Sequence, residues 1–285
     1  MGEFTEVSYR SYVIRGDREM IGQKTLLKML ESQIAENTFP RFMILVGQKG
    51  SGKKTMCKVI ADKLNCTTYT LEDIKVDTIR KMIQDCYKLV NDTVYIIPDA
   101  DNMSIAAKNA LLKVTEEPPN NARFIMTLES ENNTLDTVRS RGTIYHMESY
   151  TPDEIYEYAK GYSHDNEEIV KELCETPGDV DIFYKMGADF YTFVEKVVDN
   201  IAAVSLGNAL KIAEQIAFKD EDDKYDLKLF LKAFQKICAN RYKEGLEYLS
   251  AVRVTAETLA DLRITGINKN ALFDMWVLNI RDLWE

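Results

Sequence analysis

Five short apolar runs in the first half of the chain predict β-strands. They span Phe42–Val46, Thr67–Leu71, Thr93–Ile97, Arg123–Thr127 and Thr143–Met147. Several are continuously apolar rather than alternating, which is typical of strands that are covered on both faces. Because helical stretches separate most of them, the pattern predicts a doubly wound parallel sheet with right-handed crossovers.

Three stretches with helical periodicity in this half predict the connecting helices. They span Lys53–Leu64, Val76–Val90 and Ser104–Glu117. The third has a candidate N-cap in Ser104 and stops at two consecutive prolines, Pro118 and Pro119.

The second half of the chain loses the strand signal after about residue 148 and has the pattern of helices. Thr151 and Pro152 predict an N-cap and a first helical position, whereas Glu175–Asp179 predicts a turn. From about residue 199 onward the pattern is helical, broken by the charged loop Lys219–Lys224. Apolar residues at helical spacing end the chain, and we expect them to pack in a core, with a subunit contact as the alternative. They are Leu272, Phe273, Trp276, Val277, Ile280 and Trp284.

Composition and charge restrict the class of protein. The 285 residues are 45% apolar and 29% charged, as in ordinary soluble proteins. A net charge of −10 disfavours a role as the principal DNA-binding element of an assembly and leaves room for a local DNA patch. No apolar run approaches the roughly 18 residues of a membrane span, and the N-terminus is too polar for a signal peptide.

The five cysteines form no CxxC pair, and there are two histidines, His146 and His164. This spacing predicts neither a disulfide scaffold nor a zinc site, and it suits the reducing cytoplasm.

The segment "GQKGSGKKT" matches the P-loop pattern GxxxxGK[ST] at every position but one. It follows the first predicted strand directly, and a helix is expected to begin at Lys53. In this context, backbone N–H groups and a helix N-terminus bind phosphate oxygens, and the lysine reaches the β- and γ-phosphates. The candidate phosphate-binding residues are Gly47, Gly50, Ser51, Gly52, Lys53, Lys54 and Thr55.

Lys54 stands where the pattern has the hydroxyl that reaches magnesium. Its positive charge disfavours the metal, and Thr55 lies about 100° further around the helix. We therefore expect a loop that can hold ATP or ADP but that disfavours Mg²⁺, and we identify no metal-binding set of residues.

The acidic partner of a P-loop is expected at the end of a neighbouring strand. Nucleotide hydrolases place an Asp there for magnesium and often a Glu beside it to polarise water. Here Pro98, Asp99 and Asp101 follow the third predicted strand. The residues alone leave both aspartates open as the counterpart.

From Ile21 to Met147 the chain resembles the AAA+ domain of bacterial DNA polymerase III clamp-loader subunits, most closely the delta-prime subunit. The resemblance is carried by "IGQKTLLKML", "GQKGSGKKT", "DADNMSIAAKNALLKVTEEPPNNARFIM" and "TVRSRG". It implies a P-loop AAA+ domain with a five-stranded parallel sheet over residues 1–148. A small helical lid domain would follow over 149–198, and an all-α collar domain over 199–285.

The resemblance also assigns the acidic positions. It places the family's magnesium Asp at Pro98 and its catalytic Glu at Asp99. At the two positions where motor subunits sense phosphate, this chain has Glu129 and Asp181, and the family's zinc module is missing. Because phosphoryl transfer depends on positioning and electrostatics, these departures imply no intrinsic ATPase activity.

The dipeptide Ser140-Arg141 is similar to the family's arginine finger, which acts in the nucleotide site of an adjacent subunit. A guanidinium suits this role because its planar fork binds two phosphate oxygens. The alternatives are a surface arginine, a pair with a carboxylate of the fold, or Arg139 as the finger in a shifted register. Lys108 and Lys113 are expected either to approach a DNA backbone or to lie on a solvated helix face.

The function implied by the resemblance is that of a delta-prime-like, non-hydrolysing subunit of the clamp loader in the cytoplasm. Its partners would be the other clamp-loader subunits, the sliding clamp and, indirectly or through a local patch, primed DNA. One alternative is an active gamma/tau-like AAA+ motor that uses Asp99, Asp101 and Thr55. Another is a stand-alone nucleotide-binding adaptor whose helices bind a different replication protein.

Overall fold

The computed structural model describes residues 20–162, 166–187, 189–200, 226–264 and 266–284. The chain divides between Tyr150 and Thr151 into two compact units. The predicted loop Lys219–Lys224 and His164 lie outside the described residues. The division of the second unit into lid and collar domains stays a prediction.

A five-stranded parallel sheet forms the centre of the first unit. Its strands are β1 (Phe42–Val46), β2 (Thr67–Thr70), β3 (Thr93–Ile97), β4 (Ala122–Leu128) and β5 (Thr143–His146). The spatial order is β2-β3-β4-β1-β5, and all four neighbouring pairs are parallel. The predicted parallel sheet is thus confirmed.

Helices cover both faces of this sheet. They are α1 (Lys24–Ala35), α2 (Lys53–Leu64), α3 (Val76–Cys86), α4 (Ile105–Glu116) and the single turn α5 (Asp136–Arg139). Alternate residues of β1 point to opposite faces: Ile44 packs in the cluster that includes Leu111 of α4, and Met43 in the cluster that includes Met56 of α2. Every residue of β1 and β3 is buried, which explains their continuously apolar sequences.

Several boundaries in this unit differ from the sequence prediction: β2 and β5 each end one residue earlier, at Thr70 and His146, and α3 and β4 also differ. Helix α3 ends at Cys86 rather than Val90, because the chain turns at Asp85–Lys88 and leaves Val90 87% exposed. Strand β4 is one residue longer at each end than predicted, since Ala122 pairs with Thr93 and Leu128 with Val46.

The strand register brings three chain segments to one edge of the sheet. Ile97 at the end of β3 pairs with Met126 of β4, and Val46 at the end of β1 pairs with Leu128, the last residue of β4. The residues that follow β1, β3 and β4 therefore share the carboxyl edge of the sheet, which is where open α/β sheets bind ligands.

The second unit is helical throughout its described part. Its helices are α6 (Pro152–Ala159), α7 (Glu167–Leu173), α8 (Pro177–Lys185), α9 (Phe190–Asn200), α10 (Leu227–Asn240), α11 (Leu246–Asp261) and α12 (Lys269–Arg281). The predicted cap of α6 is present as a capping box between Thr151 and Glu154. The predicted turn Glu175–Asp179 is wrong, because Thr176 caps α8 and Pro177 is its first residue.

The apolar positions of α12 pack in an aromatic core. Phe273, Trp276, Val277 and Ile280 are buried, as the core-packing interpretation expects. Trp276 lies 4.8 Å from Phe234 between ring centroids, and its indole N–H donates to Thr255 Oγ1 at 3.0 Å. Leu272 and Trp284 are partly exposed.

Within the described ranges, no helix combines the length and the apolar character needed to cross a membrane.

Candidate functional site

The loop between β1 and α2 has the backbone shape of a phosphate cradle. Gly50 has φ 79° and Gly52, which precedes α2, has φ 86°. These left-handed values favour glycine over any residue with a Cβ atom. A Cβ atom on Gly47 would lie 2.7 Å from Met147 Cβ and 2.8 Å from Ser51 Oγ, so this glycine is also required for close packing.

Ser51 is the one residue of the cradle with an unused buried polar group. It is 4% exposed, and its Oγ has no hydrogen-bond partner among the described residues. Its carbonyl oxygen accepts a hydrogen bond of 2.8 Å from the hydroxyl of Tyr150. The Oγ atom therefore lies inside the loop, beside Gly47, with its hydrogen-bonding capacity unfilled.

Lys53 folds back onto the cradle. Its Nζ donates to the carbonyl oxygens of Gly47 at 2.6 Å and Gln48 at 3.0 Å. Burial lowers the pKa of this ammonium group, while Glu129, Asp101 and Asp99 act in the opposite direction. The two hydrogen bonds and the nearby carboxylates keep a buried cation at the position from which a P-loop lysine reaches phosphate.

Lys54, the residue that departs from the P-loop pattern, makes an ion pair with the tip of β3. Its Nζ lies 2.8 Å from Asp99 Oδ2, and both side chains are largely exposed. Asp99 is held by its backbone: it has φ 50°, and its N–H donates to Thr127 Oγ1 at 3.0 Å. Thr55 follows in the first turn of α2 and is half-buried.

The arrangement does not fit a magnesium ion. Pro98 has no side-chain oxygen to offer a metal, and the carboxylate of Asp99 already contacts an ammonium group. Across the described residues, no group of three or more His, Cys, Asp and Glu side chains could hold a metal ion. The glycines, Ser51 and Lys53 do fit a phosphate group, because they leave an unfilled buried hydroxyl inside the loop.

Asp101, the second candidate acidic residue, braces the loop that follows β4. Its carboxylate accepts from the backbone N–H of Glu129 at 2.9 and 3.0 Å, from that of Ser130 at 3.4 Å and from Asn133 Nδ2 at 2.8 Å. Three donors from a neighbouring segment occupy these oxygens. These contacts give Asp101 a structural role: it holds the loop after β4 in place beside the cradle.

Lys108 completes the same brace from α4. It is 8% exposed, and its Nζ donates to the carbonyl oxygens of Asn133 and, at 3.5 Å, Asp101. The interpretation of Lys108 as part of a solvated helix face is therefore wrong, and its contact with DNA stays a prediction. Lys113 on the same helix is exposed.

Arg141 lies in the tight connection between α5 and β5. Its Nε donates to Glu116 Oε1 at 2.9 Å, its Nη2 donates to the same oxygen, and its Nη1 donates to the carbonyl of Thr137. Glu116 is the last residue of α4, so the pair joins two segments that are distant in sequence. Arg139, the register-shifted candidate, pairs locally with Asp136 at 2.7 Å.

The two positions compared with phosphate sensors have different surroundings. Glu129 is exposed just after the end of β4. Among the carboxylates that raise the pKa of Lys53, Glu129 has the largest effect, although burial still lowers that pKa more. Asp181 lies in the second unit, where its carboxylate accepts hydrogen bonds from the hydroxyls of Tyr158, at 3.0 Å, and Tyr162.

Sequence reasoning did not identify Glu116, Tyr150 or the bracing role of Asp101. Glu116 belongs to the quoted block "NALLKVTEEPP", but nothing in the chain links it to a residue 25 positions later. Tyr150 carries no motif, and its contact with Ser51 appears once the end of β5 is placed beside β1.

Comparison with known proteins gives a consistent result. A family model described as "DNA polymerase III, delta subunit" matches residues 70–151, which include Pro98, Asp99, Asp101 and Arg141. The match covers the stretch from the end of β2 to the start of the second unit.

Similar proteins are named as subunits of DNA polymerase III and of replication factor C. DNA polymerase III subunit gamma/tau of Mycoplasma genitalium is 26% identical over 53% of this chain and 30% of that protein. DNA polymerase III subunit gamma of Buchnera aphidicola (subsp. Schizaphis graminum) is 25% identical over 69% of this chain and 57% of that protein. The chain thus spans less than two thirds of either relative. Replication factor C subunit 4 of Encephalitozoon cuniculi is 22% identical over 93% of this chain and 94% of that protein.

A solved structure supports the architecture. The DNA polymerase III gamma subunit-related protein of Thermotoga maritima matches with a TM-score of 0.50 and 17% identity, over 91% of this chain and 99% of that one. At this identity the likeness concerns the fold alone. Together, the matches confirm the resemblance to DNA polymerase III clamp-loader subunits and the AAA+ fold class.

Proposed function

We propose that this chain, which has the AAA+ fold and the sequence resemblance of a clamp-loader subunit, acts as a delta-prime-like subunit that does not hydrolyse ATP. It joins other clamp-loader subunits in the cytoplasm and helps them to load a sliding clamp on primed DNA during replication. In that assembly Arg141 serves the nucleotide site of a neighbouring ATPase subunit. The observation that carries the proposal is the ion pair of Lys54 with Asp99 beside Pro98.

The cradle's own chemistry argues against hydrolysis. Phosphoryl transfer requires a metal ion to neutralise the phosphate oxygens and a carboxylate to position water. In this chain Pro98 replaces the metal-binding Asp that the resemblance places there, and Asp99 is paired with Lys54 at 2.8 Å. Asp101 accepts hydrogen bonds from the loop after β4 and is not free to replace either group.

The surroundings of Arg141 suit a group that acts in trans. Its side chain is 26% exposed, and that of its partner Glu116 is 51% exposed. A pair that is partly open to solvent in this way contributes about 1 kcal/mol to stability, so Glu116 can be exchanged for a stronger anion at low cost. A phosphate group on an adjacent subunit would be such an anion, because guanidinium binds phosphate oxygens in a bidentate manner.

One observation favours a second candidate function. Relatives of this chain are named as gamma and gamma/tau subunits, and an active gamma/tau-like motor is the corresponding alternative. In that case Asp99, Asp101 and Thr55 would act in the chain's own site.

ATP turnover by the purified chain with magnesium separates the two candidates. We expect no turnover above that of a Lys53→Ala variant, because both lack a place for the metal. Turnover that Lys53→Ala abolishes would instead establish the motor.

Assembly is tested by co-purification with the other clamp-loader subunits of the source organism, followed by mass measurement of the complex. A defined complex that contains this chain supports the proposal. Failure to associate with any of them contradicts it.

A further inference from the structure

The Lys54–Asp99 pair lies where a P-loop protein holds a divalent cation. Lys54 occupies the motif's hydroxyl position, Asp99 follows the tip of β3, and the two charged groups are 2.8 Å apart. A metal ion entering this place would have to displace an ammonium group and would gain a single carboxylate. Hard divalent cations require several oxygen ligands, so the exchange is unfavourable.

The part of the cradle that would contact phosphate is complete. Gly50 and Gly52 have the left-handed conformations of a P-loop, and α2 begins directly after them. Inside the loop, the buried Oγ of Ser51 has no hydrogen-bond partner among the described residues. This unfilled hydroxyl is an observation independent of the helix N-terminus, and it indicates a missing acceptor or donor in the loop.

Two ammonium groups are available to an anion there. Lys53 now donates to the neutral carbonyls of Gly47 and Gln48, which a charged phosphate oxygen would replace with a stronger hydrogen bond. Lys54 is 64% exposed, so its Nζ can bridge Asp99 and a phosphate oxygen without leaving solvent.

We propose that the Lys54 ammonium takes the place of the magnesium ion, and that the cradle binds a polyphosphate chain without a divalent cation. The ligand class comprises nucleoside di- and triphosphates and inorganic triphosphate, whose shared chemistry is the phosphate chain. The inference does not rest on the clamp-loader role, because it concerns the isolated chain.

Charge predicts the effect of magnesium on this binding. In an ordinary P-loop protein the metal bridges protein and phosphate and strengthens binding. In this cradle the metal could gain only the carboxylate of Asp99, which Lys54 already contacts, and it neutralises part of the phosphate charge that attracts Lys53 and Lys54. Binding should therefore be at least as tight in excess EDTA as in excess Mg²⁺.

Isothermal titration calorimetry on the full chain tests this with ATP and with inorganic triphosphate, each in EDTA and in Mg²⁺. We expect both ligands to bind in EDTA and neither to bind more tightly in Mg²⁺. ATP binding that requires Mg²⁺, or no binding of either ligand in EDTA, overturns the proposal. Binding of ATP but not of triphosphate overturns the assignment to the phosphate chain.

Three variants test whether Lys54 and Asp99 determine the affinity for ATP in EDTA. Lys54→Thr restores the motif's hydroxyl and should weaken binding of ATP in EDTA about tenfold, because one charge-assisted contact is lost. Asp99→Asn should strengthen binding, because it removes a competing negative charge. Lys63→Ala is the matched control: Lys63 is in the last turn of α2 and pairs with Glu31 at 2.6 Å, so the same charge is removed far from the cradle.

The control and the two site variants change exposed side chains, and thermal melts check that each variant is folded. Equal affinity of Lys54→Thr and Lys63→Ala in EDTA would contradict the role of Lys54. Weaker binding by Asp99→Asn would contradict the competition between Asp99 and phosphate.

Discussion

The cradle and the Arg141 connection each hold a cation against a carboxylate, but the two pairs differ in construction. Lys54 and Asp99 are 64% and 56% exposed and share one contact. The side chain of Arg141 is 26% exposed, and its guanidinium donates two hydrogen bonds to Glu116 and one to the carbonyl oxygen of Thr137.

Because of this difference, the two ion pairs suit different functions. An exposed lysine with a single contact supplies charge without fixed direction, whereas a guanidinium held at three of its nitrogens has a fixed plane. The cradle pair therefore suits charge neutralisation, and the Arg141 pair suits orientation of a group that must bind in a defined geometry.

The largest expected effect concerns Arg141 itself. In a reconstituted complex, Arg141→Ala should lower ATP turnover at the site that it faces by about 10³-fold, the lower range known for arginine fingers. Steady-state ATPase assays with clamp and primed DNA measure this loss, and native mass measurement should show unchanged assembly.

Arg139→Ala is the matched control, because Arg139 is two residues away and is paired locally with Asp136. Normal ATP turnover with Arg141→Ala would show that Arg141 is not an arginine finger. If only Arg139→Ala lowered ATP turnover, Arg139 would be the finger.

Each of the two sites has a glycine in close contact with its neighbours, and these glycines should differ in their tolerance of alanine. A Cβ on Gly47 meets Met147 Cβ at 2.7 Å, an atom fixed by the backbone. A Cβ on Gly142 meets Ile44 Cδ1 at 2.7 Å, the end of a side chain. We expect the free energy of unfolding to fall by about 3 kcal/mol for Gly47→Ala and about 1 kcal/mol for Gly142→Ala in urea titrations. The reverse order would show that the cradle adapts more readily than the connection.

Substitutions of Asp99 and Asp101, the two aspartates that follow β3, should also differ clearly in their effect on the free energy of unfolding. Asp101→Ala leaves the backbone N–H groups of Glu129 and Ser130 without their acceptor, and we expect a loss of about 2 kcal/mol in the free energy of unfolding. Asp99→Asn removes the charge of an exposed ion pair, keeps a side chain that tolerates the left-handed backbone at φ 50°, and should cost less than about 0.5 kcal/mol. Urea denaturation followed by circular dichroism gives both values, and equal losses would contradict the bracing role of Asp101.

The smallest expected effect is the coupling energy within each pair. Double-mutant cycles should give about 1 kcal/mol for Glu116 with Arg141 and about 0.2 kcal/mol for Lys54 with Asp99, since exposure weakens the second pair. Both cycles use alanine variants and denaturant unfolding. A stronger coupling in the cradle would reverse the comparison.

Local signals in the sequence were sufficient to predict the strands of the sheet and the position of the cradle. β1 and β3 are buried on both faces, and their continuous apolar runs predicted them as strands. The glycine spacing before Lys53 predicted the loop that connects β1 to α2. The end of α3 could not be predicted, because helical spacing continues to Val90 while the chain turns at Asp85–Lys88.

The helix α8 shows how one signal can be assigned in two ways. Thr151-Pro152 was interpreted as a helix start and Thr176-Pro177 as part of a turn, although both pairs cap and begin a helix. Gly178 follows this pair, and its low helix propensity is overridden by packing of Val180 and Phe183 in the core.

Contacts across the sheet edge had no sequence signal. The partners of Asp101 are 28 to 32 residues away, and Lys108 resembles any surface lysine of a helix until its burial is known. Such long-range hydrogen bonds depend on strand order, which periodicity does not specify.

The hydrogen bonds around Asp101 also define the surface of the sheet edge beside the cradle. Asp101, Lys108 and Asn133 close the rim of the sheet edge through bonds within the chain itself. Because these bonds lie within the chain, its own side chains set the contour of this edge. If the chain joins an assembly as proposed, a subunit that packs on this edge would meet a surface that those internal hydrogen bonds hold in place.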